Sequence, residues 1–244
     1  MVDKLDILAF GVHPDDVELG CAGTILASID QGKTVGIVDL TKGELGTRGT
    51  VATRKQEAED AAKVLKVVVR VNLEMADGFF QNDENNQRKI IEIVRKYKPE
   101  IILCNAPEDR HPDHGRSAAM VEQAAFLSGL RKIVTHSNGN MQDAWRPKYV
   151  FHYLQDRFLE PNFVFDISDH IEKKFESIMC YTTQFYNPAL NEPDTYISNP
   201  DFIDAIRARA RMLGKRIGVK YAEGYITKKD IGIQSFDAII QQLT

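Results

Sequence analysis

The sequence predicts an α/β fold built on a mostly parallel sheet with helices on both faces. In the first half of the chain, short apolar runs alternate with segments whose apolar residues have helical spacing, and repeated β-α order gives a parallel sheet. Two of the apolar runs stop abruptly at clusters of His and Asp, as strands do at the ligand-binding edge of such a sheet. The 244 residues are 43% hydrophobic and 27% charged, which suits one domain over residues 1–244.

The composition also excludes several classes of protein. A net charge of -4 and a pI near 5.9 argue against a nucleic-acid partner. No apolar run reaches the length of a membrane span, and the N-terminus lacks the apolar core of a signal peptide. The three cysteines are scattered and odd in number, which is typical of reduced thiols. We therefore expect a cytoplasmic protein that binds neither a membrane nor nucleic acid.

In chain order, the first half contains four predicted strands, each followed by a helix. The run Leu5–Val12 is apolar enough for a buried strand. The third helix ends before Pro99, because a residue preceding proline avoids helical geometry. The strands are predicted at 5–12, 34–40, 67–73 and 101–105, and the helices shortly after residue 16, at 54–65, at 85–97 and from the 110–114 segment to Leu127.

The second half predicts strands at 150–154 and 163–167 and two helices. Ser168 is expected to cap a helix that buries Ile171, Phe175 and Ile178, and Pro200 suits the first position of a helix that runs to Arg216. The basic stretch 207–216 is interpreted as a solvated face of that helix. Segments 137–147 and 183–199 are predicted loops, and the tail 221–244 predicts no definite element.

The first polar cluster is His13-Pro14-Asp15-Asp16, directly after the first strand. An Asp after Pro often does no more than cap a helix. A second cluster, Arg110-His111-Pro112-Asp113-His114, follows the strand at 101–105. Because both clusters follow parallel strands, we expect them to converge at one edge of the sheet, and this favours a functional site over two ordinary caps.

The two clusters together predict a metal site. His13, Asp16 and His114 supply two imidazoles and one carboxylate, the ligand number of catalytic zinc, and the same set fits the facial triad of non-haem iron enzymes. Ligand type therefore does not fix the metal. Asp15 is expected to point beside the metal and to act as a general base on water.

His111 is expected to face the substrate side of this site. If Asp113 holds its other ring nitrogen, the imidazolium form is favoured, which suits a group that stabilises an oxyanion or protonates a leaving amine. The glycine-rich loop 41–53 follows a strand end, so it is either a mobile surface loop or a wall of the site. The chain has no GxxxxGK[ST] pattern, and no GxGxxG follows the first strand, so a nucleotide-binding enzyme gets little support.

These residues resemble the LmbE-like, or PIG-L, zinc deacetylases, which remove acetyl groups from N-acetylglucosamine conjugates. The resemblance rests on HPDD at 13–16, HPDH at 111–114 and the glycine-rich loop with Arg54. Further segments are similar to the bacillithiol-biosynthesis branch, which hydrolyses N-acetylglucosaminyl-malate: RHPDHGR, AAFLSGLRK, YTTQF, TYIS and YAEGY. The commoner motif has an acidic residue directly after HPDD, whereas here Val17 intervenes before Glu18.

The resemblance implies a role for each site residue. It implies that His13, Asp16 and His114 bind Zn²⁺, with Fe²⁺ or another divalent metal as alternatives, and that Asp15 is the general base. It further implies that His111 is the charged acid or oxyanion group and that Asp113 orients it. Among the substrate contacts, it implies that Arg54 binds the sugar or its aglycone and that Tyr196 closes over the acetyl group. Arg110 is a weaker candidate for binding an anionic group such as malate. The family fold is Rossmann-like, and homo-oligomers, often hexamers, are expected.

The function that this resemblance implies is deacetylation of a small N-acetylglucosamine conjugate, N-acetylglucosaminyl-malate first. Another substrate of the same kind, such as a chitooligosaccharide, is the alternative. A non-catalytic sugar- or metal-binding module is disfavoured because Asp15 and His111 serve turnover and are not needed to hold a metal. Malate would need local positive charge in this acidic chain, and Arg54 and Arg110 are the arginines nearest the predicted metal by motif.

Overall fold

A computed structural model describes residues 4–238 of the chain. Its strands are β1 (Ile7–Gly11), β2 (Val35–Thr41), β3 (Val69–Met75), β4 (Ile101–Cys104), β5 (His136–Ser137), β6 (Asn140–Met141), β7 (Tyr149–Tyr153), β8 (Phe163–Asp166) and β9 (Ala222–Ile226). Seven of them form one sheet in the order β3-β2-β1-β4-β7-β9-β8, and β5 pairs with β6 in a separate hairpin. Strands β1, β2, β3, β4 and β7 run parallel, whereas β9 is antiparallel to both of its neighbours.

The helices cover both faces of the sheet, as the sequence predicts. They are α1 (Asp16–Asp30), α2 (Val51–Leu65), α3 (Glu84–Tyr97), α4 (Pro112–Leu127), α5 (Ile171–Met179) and α6 (Pro200–Lys215). Helices α3 and α4 pack on one face, and α1 packs on the other with the end of α2. A third apolar cluster joins α2, α5 and α6 around Tyr181 and Phe185. The predicted α/β class with a mostly parallel sheet is therefore confirmed.

Strand β1 lies at the point where the order of the sheet reverses. The chain proceeds from β1 outward through β2 to β3, then returns to the other side of β1 as β4. β1 and β4 are in parallel register, with Ile7 beside Ile101 and Ala9 beside Leu103. Ligands of open α/β sheets bind beyond the carboxyl ends of the strands at such a point. Both His/Asp clusters follow these two strands.

Three details differ from the sequence predictions. The predicted loop 137–147 contains the turn of the β5–β6 hairpin, where Asn138 and Gly139 have the positive φ angles that an Asn-Gly turn favours. Ser168 does not cap a helix, because its hydroxyl donates to the Asp166 carboxylate and accepts the N–H of Tyr221. The unassigned tail contributes β9, and its residues 239–244 lie outside the described part of the chain.

Strand β9 was not predicted because a charged residue and a glycine interrupt the apolar run of its short sequence, AEGYI. The Glu223 side chain is nevertheless buried, where it pairs with Lys174 at 2.6 Å and accepts the backbone N–H groups of Gly23 and Thr24. A buried charge of this kind is tolerated when its partners are provided. Across residues 4–238, no helix combines the length and the apolar character that crossing a membrane requires.

Candidate active site

The predicted metal ligands lie together beyond β1 and β4. One Asp16 carboxylate oxygen is 3.2 Å from Nε2 of His114, and the other is 3.7 Å from Nδ1 of His13. The ring of His111 joins them, with its centroid 4.8 Å from that of His13 and 5.3 Å from that of His114. The two clusters therefore converge as expected, while their role as ligands stays a prediction.

Asp16 is held rigidly in its charged form. Its carboxylate accepts hydrogen bonds from the backbone N–H of His13 and from the side-chain amides of Asn105 and Gln155, each at 3.0 Å. Burial alone would raise the pKa of Asp16, but His114 and His13 outweigh it and hold that pKa well below its usual range. The side chain is thus an ionised acceptor in the interior, ready for a cation.

Each of the two predicted histidine ligands has a carboxylate on its far side. Asp77 lies 3.0 Å from Nε2 of His13, and Asp109 lies 2.5 Å from Nδ1 of His114, so that the other nitrogen of each ring faces Asp16. Metal-binding histidines usually have such a partner, which fixes the ring and its tautomer. The sequence did not predict Asp77 and Asp109, because only the folded chain places the turns after β3 and β4 beside these rings.

The residues present fit a divalent metal ion. Ring nitrogens of His13, His111 and His114 lie within 4.8 Å of one another, beside the Asp16 carboxylate. Burial alone would lower the pKa of His114, but the neighbouring Asp16 and Asp109 carboxylates raise it to about 10. Imidazole and carboxylate donors suit zinc and iron alike, so the donor set does not select between them.

We expect Asp109→Asn to weaken metal binding about 10- to 100-fold, as loss of a carboxylate behind a metal-bound histidine generally does. Titration of the purified protein with Zn²⁺ against a competing chelator measures this. Glu108→Gln is the matched control, because Glu108 is exposed and pairs only with Arg157 among the described side chains. Asp109 also accepts backbone N–H groups of Asp156 and Arg157, so the melting temperature is measured alongside. Equal affinity of both variants would contradict the role of Asp109.

Asp15 is not the ordinary helix cap that its position before α1 suggests. Its side chain makes no capping hydrogen bond, and its φ of 135° lies in a region that residues other than glycine rarely adopt. Its carboxylate instead accepts a hydrogen bond from Nη2 of Arg54 at 2.7 Å. Burial raises the pKa of Asp15 to about 6, against the opposing effect of Arg54. A carboxyl group with this pKa can take up a proton near neutral pH, which suits a general base.

Arg54 forms a buried ion pair with the Asp15 carboxylate, whereas the resemblance implies that it binds the sugar or its aglycone. Besides Asp15, it donates to the Pro14 carbonyl, and both it and Asp15 are buried. The glycine-rich loop lies directly against its guanidinium: a Cβ on Gly43 would come within 2.6 Å of Nη1, and a Cβ on Gly46 within 3.0 Å. Of the two interpretations of this loop, a wall of the site is the one that these contacts support.

We expect Gly43→Ala to reduce turnover, because the new methyl group would displace the Arg54 guanidinium from Asp15. Gly43 also has a φ of +64°, so the substitution adds backbone strain of roughly 1–3 kcal/mol. Gly32→Ala is the matched control, since Gly32 has a φ of +82° and nothing within 4 Å of the added Cβ. Both variants should melt at lower temperature, and only Gly43→Ala should lose activity beyond its loss of folded protein. Equal activity per folded molecule would contradict the contact.

His111 is oriented differently from the expectation. The Asp113 carboxylate accepts hydrogen bonds from the Gly78 backbone and from Arg116, and the Asp113 backbone N–H donates to Nδ1 of His111 at 3.3 Å. Asp113 therefore positions His111 through its main chain, as part of the start of α4. Burial, together with His13 and His114, lowers the pKa of His111, so the expected imidazolium is not favoured. With Nδ1 as acceptor, Nε2 of the neutral ring carries the hydrogen.

Arg110 and Tyr196 form the rim of the same site. The Arg110 guanidinium stacks on the Tyr196 ring at 4.2 Å and pairs with Asp156 at 3.5 Å, and the Tyr196 hydroxyl donates to Asp156 at 3.0 Å. Both residues are exposed. Their stack bridges the 187–199 loop and the loop after β4.

Of the site residues predicted from the sequence, all except Asp113 line one cavity of about 820 Å³. The cavity also reaches α6, and there it meets Arg209, which the sequence did not single out. Arg209 is three residues from Ile206 and seven from Phe202, so it lies on the cavity-facing side of α6. The interpretation of the stretch 207–216 as a solvated face is therefore wrong for Arg209. The spacing of Arg209 from Phe202 and Ile206 was the signal in the sequence that could have placed it on the same side of the helix as these apolar residues.

Glu18, where the HPDD motif departs from its commoner form, lies in the interior. Its carboxylate accepts hydrogen bonds from Arg70 and from the Tyr181 hydroxyl, and Arg70 also pairs with Asp39. The other oxygen of Glu18 is buried without a partner among the described residues. Glu18 therefore takes part in a charged network behind the site and does not line the cavity.

The chain is similar to known deacetylases. The PIG-L family model, described as GlcNAc-PI de-N-acetylase, matches residues 8–125, the segment that contains both His/Asp clusters. The diacetylchitobiose deacetylase of Thermococcus kodakarensis is 27% identical over 236 residues, which is 91% of this chain and 82% of that protein.

Two further relatives extend the comparison. A Bacillus anthracis protein named "Probable N-acetyl-alpha-D-glucosaminyl L-malate deacetylase 2" is 24% identical over 201 residues, 76% of this chain and 84% of its own. Among solved structures, a conserved protein from Thermus thermophilus superposes with a TM-score of 0.84 at 30% identity, covering 94% of this chain and 97% of that one.

Proposed function

Because the chain belongs to the PIG-L/LmbE-like family of deacetylases, we propose that it is a metal-dependent hydrolase that removes the N-acetyl group from N-acetylglucosamine joined to a second group. The observation that carries the proposal is the juxtaposition of a histidine- and aspartate-lined metal pocket with the Asp15–Arg54 pair. We propose His13, Asp16 and His114 as the ligands and Zn²⁺ as the metal, with Fe²⁺ as the alternative.

The proposed chemistry divides among a few side chains. The metal, when bound, supplies a Lewis acid that polarises the acetyl carbonyl and acidifies water. Asp15 takes a proton from the attacking water and returns it to the amine nitrogen as the C–N bond breaks, and Arg54 holds the carboxylate of Asp15 in position. Nε2 of His111, which carries the hydrogen because Nδ1 accepts from the Asp113 N–H, is proposed to donate a hydrogen bond to the developing oxyanion. Asp113 keeps that ring in place through its backbone N–H.

The identity of the second group separates two candidate substrates. Similarity to the diacetylchitobiose deacetylase favours a second sugar, as in a chitooligosaccharide. The lower similarity to the malate deacetylase, together with the motifs of that branch, favours N-acetylglucosaminyl-malate and a place in bacillithiol biosynthesis. Arg110 and Tyr196 are proposed to contact the substrate from the rim, and Arg54 is proposed to contact the N-acetylglucosamine unit in addition to holding Asp15. All three line the cavity. A single domain over residues 1–244 and assembly into a hexamer stay predictions.

Acetate release from metal-loaded protein tests the proposal. The substrates are N-acetylglucosamine, diacetylchitobiose and N-acetylglucosaminyl-malate, and metal-free protein is the control. We expect acetate from at least one of the two conjugates, at a rate that depends on added metal. Acetate from none of them would contradict the proposed function and favour a non-catalytic sugar-binding module.

A further inference from the structure

Helix α6 forms one wall of the cavity, and Arg209 is the charged residue on that wall. The α6 residues that line the cavity are spaced as one face of a helix: Phe202, Ala205, Ile206, Ala208, Arg209 and Met212. All of them except Arg209 are apolar. A guanidinium on an otherwise apolar wall is a feature that polar recognition of a ligand requires and that packing of the helix does not.

The other arginines of α6 and its end have partners, and Arg209 has none among the described residues. Arg207 pairs with Glu172 at 2.7 Å, Arg211 donates to the Lys220 carbonyl at 2.9 Å, and Arg216 pairs with Glu160. Within residues 4–238, no hydrogen bond or ion pair reaches the Arg209 side chain. Its five N–H donors therefore remain for water or for a ligand in the cavity.

The carboxylates that act electrostatically on Arg209 belong to Asp156, Asp109 and Glu223, and each is already engaged elsewhere. Glu223 pairs with Lys174 at 2.6 Å. Asp109 binds His114 and two backbone N–H groups, and Asp156 accepts the hydroxyl of Tyr196 and pairs with Arg110. Burial lowers the pKa of Arg209, with Asp156 and Asp109 opposing this effect, yet a guanidinium stays charged at any physiological pH. A charge that is partly removed from water without a counter-ion is costly, and an anionic ligand would offset that cost.

We infer that Arg209 is the specificity residue of the cavity and binds a carboxylate on the group joined to the N-acetylglucosamine unit. This inference rests on the proposed function and selects, between its two candidates, the anionic conjugate over the neutral sugar. The other arginines that line the cavity already have partners: Arg54 binds Asp15, Arg110 pairs with Asp156, and Arg48 pairs with Glu192 and donates to the Phe185 carbonyl. Among the described residues, Arg209 is the cavity arginine whose donors have no protein partner. A planar guanidinium can bind a carboxylate through two parallel hydrogen bonds.

A matched pair of substrates tests the inference. N-acetylglucosaminyl-malate and its dimethyl ester have the same skeleton and differ in charge. The measurement is kcat/KM for both compounds in wild type, Arg209→Met, Arg209→Lys and the control Arg211→Met. We expect Arg209→Met to reduce the preference for the diacid by about tenfold to a hundredfold, the usual contribution of charged hydrogen bonds. Arg209→Lys should keep part of the preference, and Arg211→Met should keep all of it.

A binding measurement separates failure of this inference from failure of the proposed function. Calorimetry of both compounds with the Asp15→Asn protein, with and without Arg209→Met, reports affinity in the absence of turnover, and melting curves confirm that each variant is folded. The same loss of preference should appear in Kd. A wild type that does not distinguish the two compounds, or an Arg209→Met variant with an unaltered preference, would overturn the inference. So would failure of the diacid to bind the Asp15→Asn protein.

Discussion

Asp15→Asn should retain its metal and lose roughly two or more orders of magnitude in kcat, the usual contribution of a general base. The carboxylate lies beside the predicted ligands, and burial raises its pKa to about 6. Asparagine has nearly the same shape but cannot accept a proton from water. The measurement combines kcat for acetate release with the metal content of the same sample.

The control for this variant is Asp16→Asn, which changes the neighbouring carboxylate. Asp16 lies between His13 and His114, so its substitution should lower metal content, whereas Asp15→Asn should not. The Asp15 variant leaves Arg54 buried without its counter-ion, and its melting temperature therefore shows whether lost activity reflects lost structure. Turnover near that of wild type, in folded and metal-loaded protein, would mean that another group is the base.

His13→Ala and His114→Ala should each lose most of the bound metal. Each substitution removes one of three predicted protein ligands and leaves a carboxylate, Asp77 or Asp109, without its imidazole partner. Elemental analysis of dialysed protein gives the metal content per chain. His170→Ala is the matched control, because His170 lies before α5 and outside the cavity. Wild-type metal content in both site variants would exclude this ligand assignment.

His111→Ala distinguishes the two ligand sets that the geometry permits. His111 belongs to the histidine cluster with His13 and His114, yet it is predicted to face the substrate. If Asp16 is the third ligand, His111→Ala keeps its metal and loses activity. Loss of metal equal to that of His13→Ala would instead assign His111 as a ligand.

The sequence predicted the part of the fold that depends on local pattern. The alternation of apolar runs with helical segments is strong from Leu5 to Leu127, and the structure has the same order of strands and helices there. Strand β9 could not be predicted in this way. Its Glu223 is buried only because Lys174, distant in sequence, lies beside it, and no local pattern reports such a partner.

In the candidate site too, residues within a local sequence motif could be predicted, and residues that depend on tertiary contacts could not. The residues within the two motifs could be found because each motif directly follows a strand, and adjacent parallel strands bring them together. Asp77 and Asp109 are single residues that their neighbours in the sequence do not mark, and for Arg209 the one signal was its helical spacing from Phe202 and Ile206. Their proximity to the cavity depends on how the turns after β3 and β4 and helix α6 pack, which only tertiary structure specifies.

The antiparallel strand β9 has a consequence for synthesis of the chain on the ribosome. Strand β8 pairs with β9 alone among the described strands, and β9 also adjoins β7. Because β9 begins at Ala222, after α5 and α6, β8 cannot join the sheet until the segment 167–226 has been synthesised. The earlier βα units can assemble cotranslationally, and α5 can then pack against α2, whereas β8 must wait for its pairing with β9. Folding intermediates with an open edge at β7 are therefore expected during synthesis.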